Sequence, residues 1–243
     1  MQTPEQQPAI SLFQTLFLAF LTLVIYVFLQ GSLLQYFAAE RLSEFATQAE
    51  LQTTVQSLLY DARVLSYVEI VSGTFATLFV ILVVHLKNLS PTQYLGIAPF
   101  RSRDLINWLV VLIAFTLLLA LVSWLISHNQ TDFMQRIWDS ADNVPLLLIG
   151  VVVFAPIFEE TLFRGFIFSG IRQSYLGTGP AIAFSAASWA MIHTQYGAFD
   201  IFSIFILGII LSMARIASGS LLVPIILHGV FNLFAIFEMA LFS

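Results

Sequence analysis

Val152-Val-Phe-Ala-Pro-Ile-Phe-Glu159-Glu160-Thr-Leu-Phe-Arg164-Gly-Phe-Ile-Phe168 is an apolar run interrupted by two adjacent carboxylates and an arginine. Across 243 residues, 59% are hydrophobic and 9% charged, against roughly a quarter charged in an ordinary soluble domain. That composition argues against a soluble globular protein and for a membrane-embedded one. An ionisable side chain near a bilayer centre costs about 2.5–3.5 kcal/mol on insertion scales. Glu159, Glu160 and Arg164 therefore require partners or a water-filled cavity.

Working outward from this run, each helix needs about 20 apolar residues to cross a bilayer. Stretches of this kind are predicted at 10–34, 64–86, 105–127, 145–173, 181–196, 199–216 and 220–242. The expected fold is an all-α polytopic transmembrane helical bundle of about seven spans. It forms a single membrane domain over 1–243, with N-terminal spans in 1–144 and the core helices in 145–242. The polar flank 2–8 carries no Lys or Arg, unlike a cleavable signal peptide, so the first helix is expected to be retained. Segment 35–63 is polar and acidic (Glu40, Glu44, Glu50, Asp61) and reads as an interfacial helical loop that does not span. Pro145 suits the first turn of the fourth helix, where its missing N–H is no loss, and Gly177-Thr-Gly179-Pro180 is a turn. The small residues Ala181, Ala183, Ser185, Ala186, Ala187, Ser188 and Ala190 allow close helix contact, which predicts a central position for 181–196.

The charges exclude several function classes. Net charge is −5 and no basic cluster exceeds Arg101-Ser-Arg103, so the electrostatic footprint of nucleic-acid binding is missing. Absence of cysteine excludes disulfides, Cys-ligated zinc, iron–sulfur clusters and a thiol nucleophile. Seven spans with the N-terminus inside place Lys87, Arg101, Arg103, Arg172 and Arg215 on the cytoplasmic side, against Arg41, Arg63 and Arg136 outside, which favours that orientation. The expected location is a bacterial plasma membrane, as an integral multi-pass protein with a cytoplasmic N-terminus. Asn88-Leu-Ser90 and Asn129-Gln-Thr131 match a glycosylation acceptor pattern too short to carry weight. Glu69 and Glu238 near span ends, and His85 and His128 at span borders, read as structural or solvated. Trp108, Trp124 and Trp138 read as packing or interface anchors.

Glu160 and Arg164 are i, i+4, on one helical face, and can pair within the helix. Glu159 is rotated about 100° from Glu160 and needs another partner. His193 ends Trp189-Ala-Met-Ile-His193, and His228-Gly-Val-Phe-Asn232 puts a histidine and an asparagine side by side on a later helix. A lone intramembrane histidine or asparagine is commonly interhelical glue. Polar residues on three successive core helices, adjacent glutamates included, are poorly explained that way. Water activation fits them: a glutamate in an apolar cavity as base, a histidine to hold the water and protonate a leaving amine, and a His/Asn pair to stabilise an oxyanion.

At these residues the sequence resembles the CPBP family of intramembrane endopeptidases, which includes type II CAAX prenyl proteases and the bacterial Abi proteins. The family pattern is Glu-Glu-x-x-x-Arg, then Phe-x-x-x-His, then His-x-x-x-Asn. The first and third are complete here, and tryptophan replaces phenylalanine in the second, keeping an aromatic but altering local pocket shape. The resemblance covers about 145–242. It implies that Glu159 activates water, His193 assists, and His228 with Asn232 forms the oxyanion hole, supported by Glu160 paired with Arg164. The implied substrate is a membrane-associated peptide or protein in the lipid bilayer, with CAAX-type processing one family activity.

Competing readings use the same residues. Zinc held by Glu159, His193 and His228 would leave one position for water, but His-Glu-x-x-His is absent, and a cofactor-free mechanism is expected. A non-enzymatic scaffold or bacteriocin-immunity protein of the same fold, and a proton-coupled transporter, are the other classes; no inverted repeat supports the last. One geometric conflict stands. Glu159 and His228 lie roughly 12–15 Å from the cytoplasmic ends of their predicted helices and His193 nearer 20 Å from its own, so tilt or a later helix start must bring them level.

Overall fold

Several helices begin where the sequence supplies an oxygen-bearing cap. Ser11 accepts the N–H of Gln14 at the start of α1 (Leu12–Arg41), and Thr47 that of Glu50 at α2 (Gln48–Leu58). Asp61 accepts those of Arg63 and Val64 at α3 (Ala62–Leu86), and Ser90 that of Gln93 at α4 (Pro91–Leu95). There follow α5 (Ser102–Leu125), α6 (Asp132–Asp139), α7 (Val144–Gln173), α8 (Thr178–Met191), α9 (Ala198–Ser218) and α10 (Leu222–Phe242). Asn143 caps α7, with Pro145 in its first turn as expected. The computed structural model describes residues 10–42, 46–127 and 132–242, and no strand occurs among them. The polar flank 2–8, Glu44, His128 and the acceptor pattern at 129–131 lie outside the described residues.

Among the described residues six helices, α1, α3, α5, α7, α9 and α10, are long and apolar enough to cross a membrane. The seventh expected span, 181–196, is α8, which has 14 residues and stops at Met191. At 1.5 Å per residue it is about 21 Å long, short of the roughly 30 Å hydrocarbon core. It stops early because the His193 ring donates from Nδ1 to the Trp189 carbonyl at 2.8 Å, taking an acceptor that the next helical turn would use. Within segment 35–63 the described residues comprise the end of α1, then α2, then the Asp61 cap and first residues of α3.

α7 is the central element. Half of its most apolar window is buried, against 6% for α5, which faces outward apart from Leu112 and Phe115. The helix is not uniform: Ile149–Phe154 and Thr161–Ile167 are π-helical turns on either side of the α-helical Ala155–Glu160. Such turns widen a helix locally and recur at functional sites. Here they bracket the two glutamates.

A Cβ on Gly165 would lie 3.3 Å from both Leu221 and Leu95, so α10 begins level with Gly165, about two turns before the end of α7. The loop after α4 covers that buried start: Leu221 N–H donates to the Gly96 carbonyl at 2.8 Å, and the Ser220 hydroxyl to the Ala98 carbonyl. His228, two turns into α10, thereby reaches the glutamates.

Candidate active site

Glu160 and Arg164 are both fully buried, and Arg164 Nη1 donates to Glu160 Oε1 at 2.8 Å. This is the i, i+4 pair expected from spacing. His228 Nδ1 donates to the same oxygen at 3.0 Å, so α10 is fastened to α7 through the ion pair. The other nitrogen, His228 Nε2, lies 3.9 Å from Glu159 Oε2. One imidazole thus spans both carboxylates.

The partner of Glu159 is Trp189, whose indole N–H donates to Glu159 Oε2. Glu159 Oε1 makes no hydrogen bond among the described residues, and the side chain is 13% exposed. One oxygen is fixed and the other is available. The Trp189 ring is also the surface on which the rest of the site packs: Arg164 Cζ stands 4.2 Å from its centroid, and the His228 and His193 rings meet it edge-on at 5.0 and 5.3 Å. Cation–π contact accounts for the placement of Arg164 Nε and Nη2, which lack hydrogen-bond partners among the described residues.

His193 is positioned by its own backbone. With Nδ1–H on the Trp189 carbonyl, Nε2 of the neutral ring is an acceptor. Tyr196 stacks on the imidazole at 6.0 Å and 16°, and its hydroxyl donates to Met134 Sδ at 3.3 Å, tying α6 to this end of the site. Burial pushes the Tyr196 phenol up to about 12, so it stays a neutral donor across the physiological range.

Asn232 sits one turn beyond His228, but its hydrogen bond runs elsewhere. Its Nδ2 donates at 2.9 Å to the Val151 carbonyl in the first π-turn of α7. The reason lies in Pro156. In that turn the backbone bonds run five residues back, as Ala155 N–H to Gly150 carbonyl shows, so residue 156 would donate to Val151. Proline has no N–H to give, and the asparagine amide supplies it from α10. At the adjoining Val152 carbonyl, Gly229 makes the close approach possible, since a Cβ there would lie 2.7 Å from the oxygen. The second π-turn is met in the same manner by α8: the Ser185 hydroxyl donates to the Phe163 carbonyl at 2.9 Å.

Four of the six expected residues, Glu159, Arg164, His193 and His228, thus contact Trp189, Glu160 is joined to them through Arg164 and His228, and Asn232 braces α10 on α7. Among the described residues no group of three or more His, Asp or Glu side chains is clustered as ligands of one ion. Each imidazole packs against the indole and none of their ring contacts joins the two.

Two residues outside the expected set belong to the same neighbourhood. Glu69 on α3 accepts the Tyr26 hydroxyl at 2.7 Å and the Gln30 amide at 3.3 Å, both from α1. The Tyr26 ring stacks on Phe158 at 4.3 Å, and Glu69 is near enough to Glu159 for their charges to interact. A carboxylate on a spanning helix is itself the signal that a partner is required. Tyr26, on the first span, is the residue that meets it.

Residues 141–234 match the family described as type II CAAX prenyl endopeptidase, Rce1-like. An uncharacterized 24.3 kDa protein of Escherichia coli is 36% identical over 102 residues, which cover 40% of this chain and 46% of that protein. The chain therefore spans about half the length of this curated relative. No solved structure matches the chain.

Proposed function

We propose, from the match of residues 141–234 to the family described as type II CAAX prenyl endopeptidase, Rce1-like, that the protein is an intramembrane endopeptidase. It hydrolyses a peptide bond of a membrane-associated peptide or protein with a glutamate-activated water. The observation that carries this is the asymmetry of Glu159, with Oε2 held by Trp189 and Oε1 unengaged in an apolar interior. An oriented, weakly solvated carboxylate of this kind is a competent general base.

In the proposed reaction Glu159 Oε1 takes a proton from water while the oxygen attacks the scissile carbonyl carbon. His193 Nε2 accepts a hydrogen bond from the same water. Negative charge develops on the carbonyl oxygen, which His228 Nε2–H, in its imidazolium form, and the amide hydrogen of Asn232 not given to Val151 stabilise. The tetrahedral intermediate collapses with cleavage of the C–N bond, and the proton held by Glu159 passes, with His193 assisting, to the leaving nitrogen. Oxyanion donors in known hydrolases contribute about 2.7–4 kcal/mol each. Glu160 and Arg164 hold His228 in place.

The proposed reaction routes no step through a metal. Activity retained after exhaustive chelation, with no stoichiometric zinc by elemental analysis, is the expected result. Loss restored specifically by zinc overturns the metal-free mechanism. The basic residues at the ends of α3, α7 and α9 and the start of α5 support an N-terminus on the cytoplasmic side.

The deciding experiment compares the membrane proteomes of cells carrying wild type and Glu159→Ala, searching for a polypeptide that accumulates uncleaved, with CAAX-type substrates among the candidates. Glu159→Ala and His193→Ala should abolish its cleavage by the purified protein while insertion is retained. Full activity in either variant rejects the assignment.

A further inference from the structure

The two ends of the bundle differ in how their cations are satisfied. At the end formed by the α1–α3 and α5–α7 connections, Arg41 pairs with Asp61 at 2.6 Å, Arg63 pairs with Asp142 at 2.7 Å, and Arg136 lies 3.5 Å over the Tyr60 ring. The opposite end carries Lys87, Arg101, Arg103, Arg172 and Arg215 with Asp104, and none of these five cations is in an ion pair among the described residues. Three of the five stand free at span borders. Arg172 and Arg215 are different.

Arg215, in the last turn of α9, is 8% exposed. Its Nη2 donates to the Leu95 carbonyl at 3.1 Å, while its buried Nε has no partner among the described residues. The guanidinium lies against Gly96, which has φ +74°, and a Cβ at that position would be 1.6 Å from Nη2. The chain thus seats a desolvated cation on backbone, with no carboxylate. Arg172, in the last turn of α7, is exposed with Cζ 5.9 Å from the Phe168 ring. One turn before it the Ser169 hydroxyl donates to the Tyr94 carbonyl at 2.9 Å, next to the Leu95 carbonyl that holds Arg215, so the two cations are neighbours and their charges act on each other. Helix C-termini favour each cation singly. Their juxtaposition remains repulsive until an anion joins them, and guanidinium forks match phosphate oxygens best.

We propose that Arg172 and Arg215 together hold the phosphate of an anionic lipid headgroup between the ends of α7 and α9. Both arginines lie in the terminal turns of membrane helices, at headgroup level, on the end of the molecule rich in unpaired cations. Basic pockets between helices on that side are suited to such headgroups. The site is separate from the peptidase centre and does not depend on that reading.

The test is native mass spectrometry of the full chain in detergent, titrated with phosphatidylglycerol and, separately, phosphatidylcholine, alongside thermal shift in inorganic phosphate. Wild type should retain phosphatidylglycerol under conditions that strip phosphatidylcholine. Arg172→Gln, an exposed position whose lipid-free melting should be unchanged, should weaken retention about tenfold, and Arg103→Gln should not. Equal retention of both lipids, or equal phosphatidylglycerol retention by wild type and Arg172→Gln, overturns the proposal. Stabilisation by inorganic phosphate without lipid retention overturns the lipid as its source and assigns a free anion.

Discussion

The indole N–H of Trp189 and the carboxylate of Glu159 form a hydrogen bond across the α7–α8 interface, from the position where the related pattern carries phenylalanine. Phenylalanine in that place offers a ring but no donor. Trp189→Phe therefore keeps the aromatic surface under Arg164 and removes only the bond that orients the base. A bond to a charged acceptor contributes about 1.5–3 kcal/mol, which predicts a fall in kcat of about tenfold to a hundredfold with KM little changed. Steady-state kinetics on an identified substrate check this; unchanged kcat would show that Glu159 is oriented by other groups.

Removing one member of a buried ion pair leaves the other uncompensated, at about 3–5 kcal/mol. Arg164→Ala should accordingly lower the melting temperature sharply and reduce the yield of inserted protein, because it strands Glu160 in a fully buried position. Glu160→Gln combined with Arg164→Met should recover much of the stability without activity, since His228 then loses its charged anchor. A melting temperature for Arg164→Ala equal to wild type would contradict the pair's structural role.

Asn232 and Pro156 should be energetically coupled, although they lie on different helices. Pro156→Ala restores a backbone N–H able to reach the Val151 carbonyl, so Asn232→Ala should destabilise that background less than it does wild type. A coupling of about 0.5–3 kcal/mol is the range for residues sharing one partner. Additive losses of thermal stability in the double-mutant cycle would show that the asparagine does not stand in for the missing donor.

Acid should weaken the junction of α1 and α3. Partial burial pushes the Asp61 carboxyl up, but the Arg41 guanidinium and the backbone N–H groups of Val64 and Arg63 outweigh burial and hold it below its ordinary value. A depressed folded-state value means stability that is present above the unfolded value, near pH 4, and lost as pH falls through the lower folded one. The difference in melting temperature between wild type and Asp61→Asn should be largest at neutral pH and shrink below about pH 4. A difference that grows on acidification would reverse the sign.

What could be read from sequence was local. Glu160 and Arg164 lie one helical turn apart, so their pairing follows from helix geometry alone, as do the caps at Asp61 and Asn143. The missing parts depend on distant groups. Trp189 reads as an aromatic replacing an aromatic until its N–H is seen to face Glu159. Glu69 is assigned to a span border by position, and only the apposition of α1 reveals Tyr26 and Gln30 beside it. The small residues of 181–190 mark a helix packed closely on α9, where a Cβ on Gly208 would lie 2.9 Å from Ala186, but its other face, with Ala183, Phe184 and Ala187, is exposed and the helix is not central. Its end coincides with the His193 ring taking the Trp189 carbonyl, which apolar periodicity does not register. The shared level of the site residues likewise depends on the loop at Gly96 and Ala98, which carries no periodic signal.

The shortness of α8 bears on how the molecule is assembled. A 14-residue segment is too brief to settle across a bilayer alone, so during synthesis it must enter with α9 as a hairpin whose tip carries His193 and Tyr196. Until that hairpin is in place, Glu159 lacks Trp189 and its carboxylate is unoriented. Completion of the proposed site is thereby tied to the insertion of its least hydrophobically autonomous piece, and a nascent chain displaying only α7 carries the glutamates without Trp189 beside them.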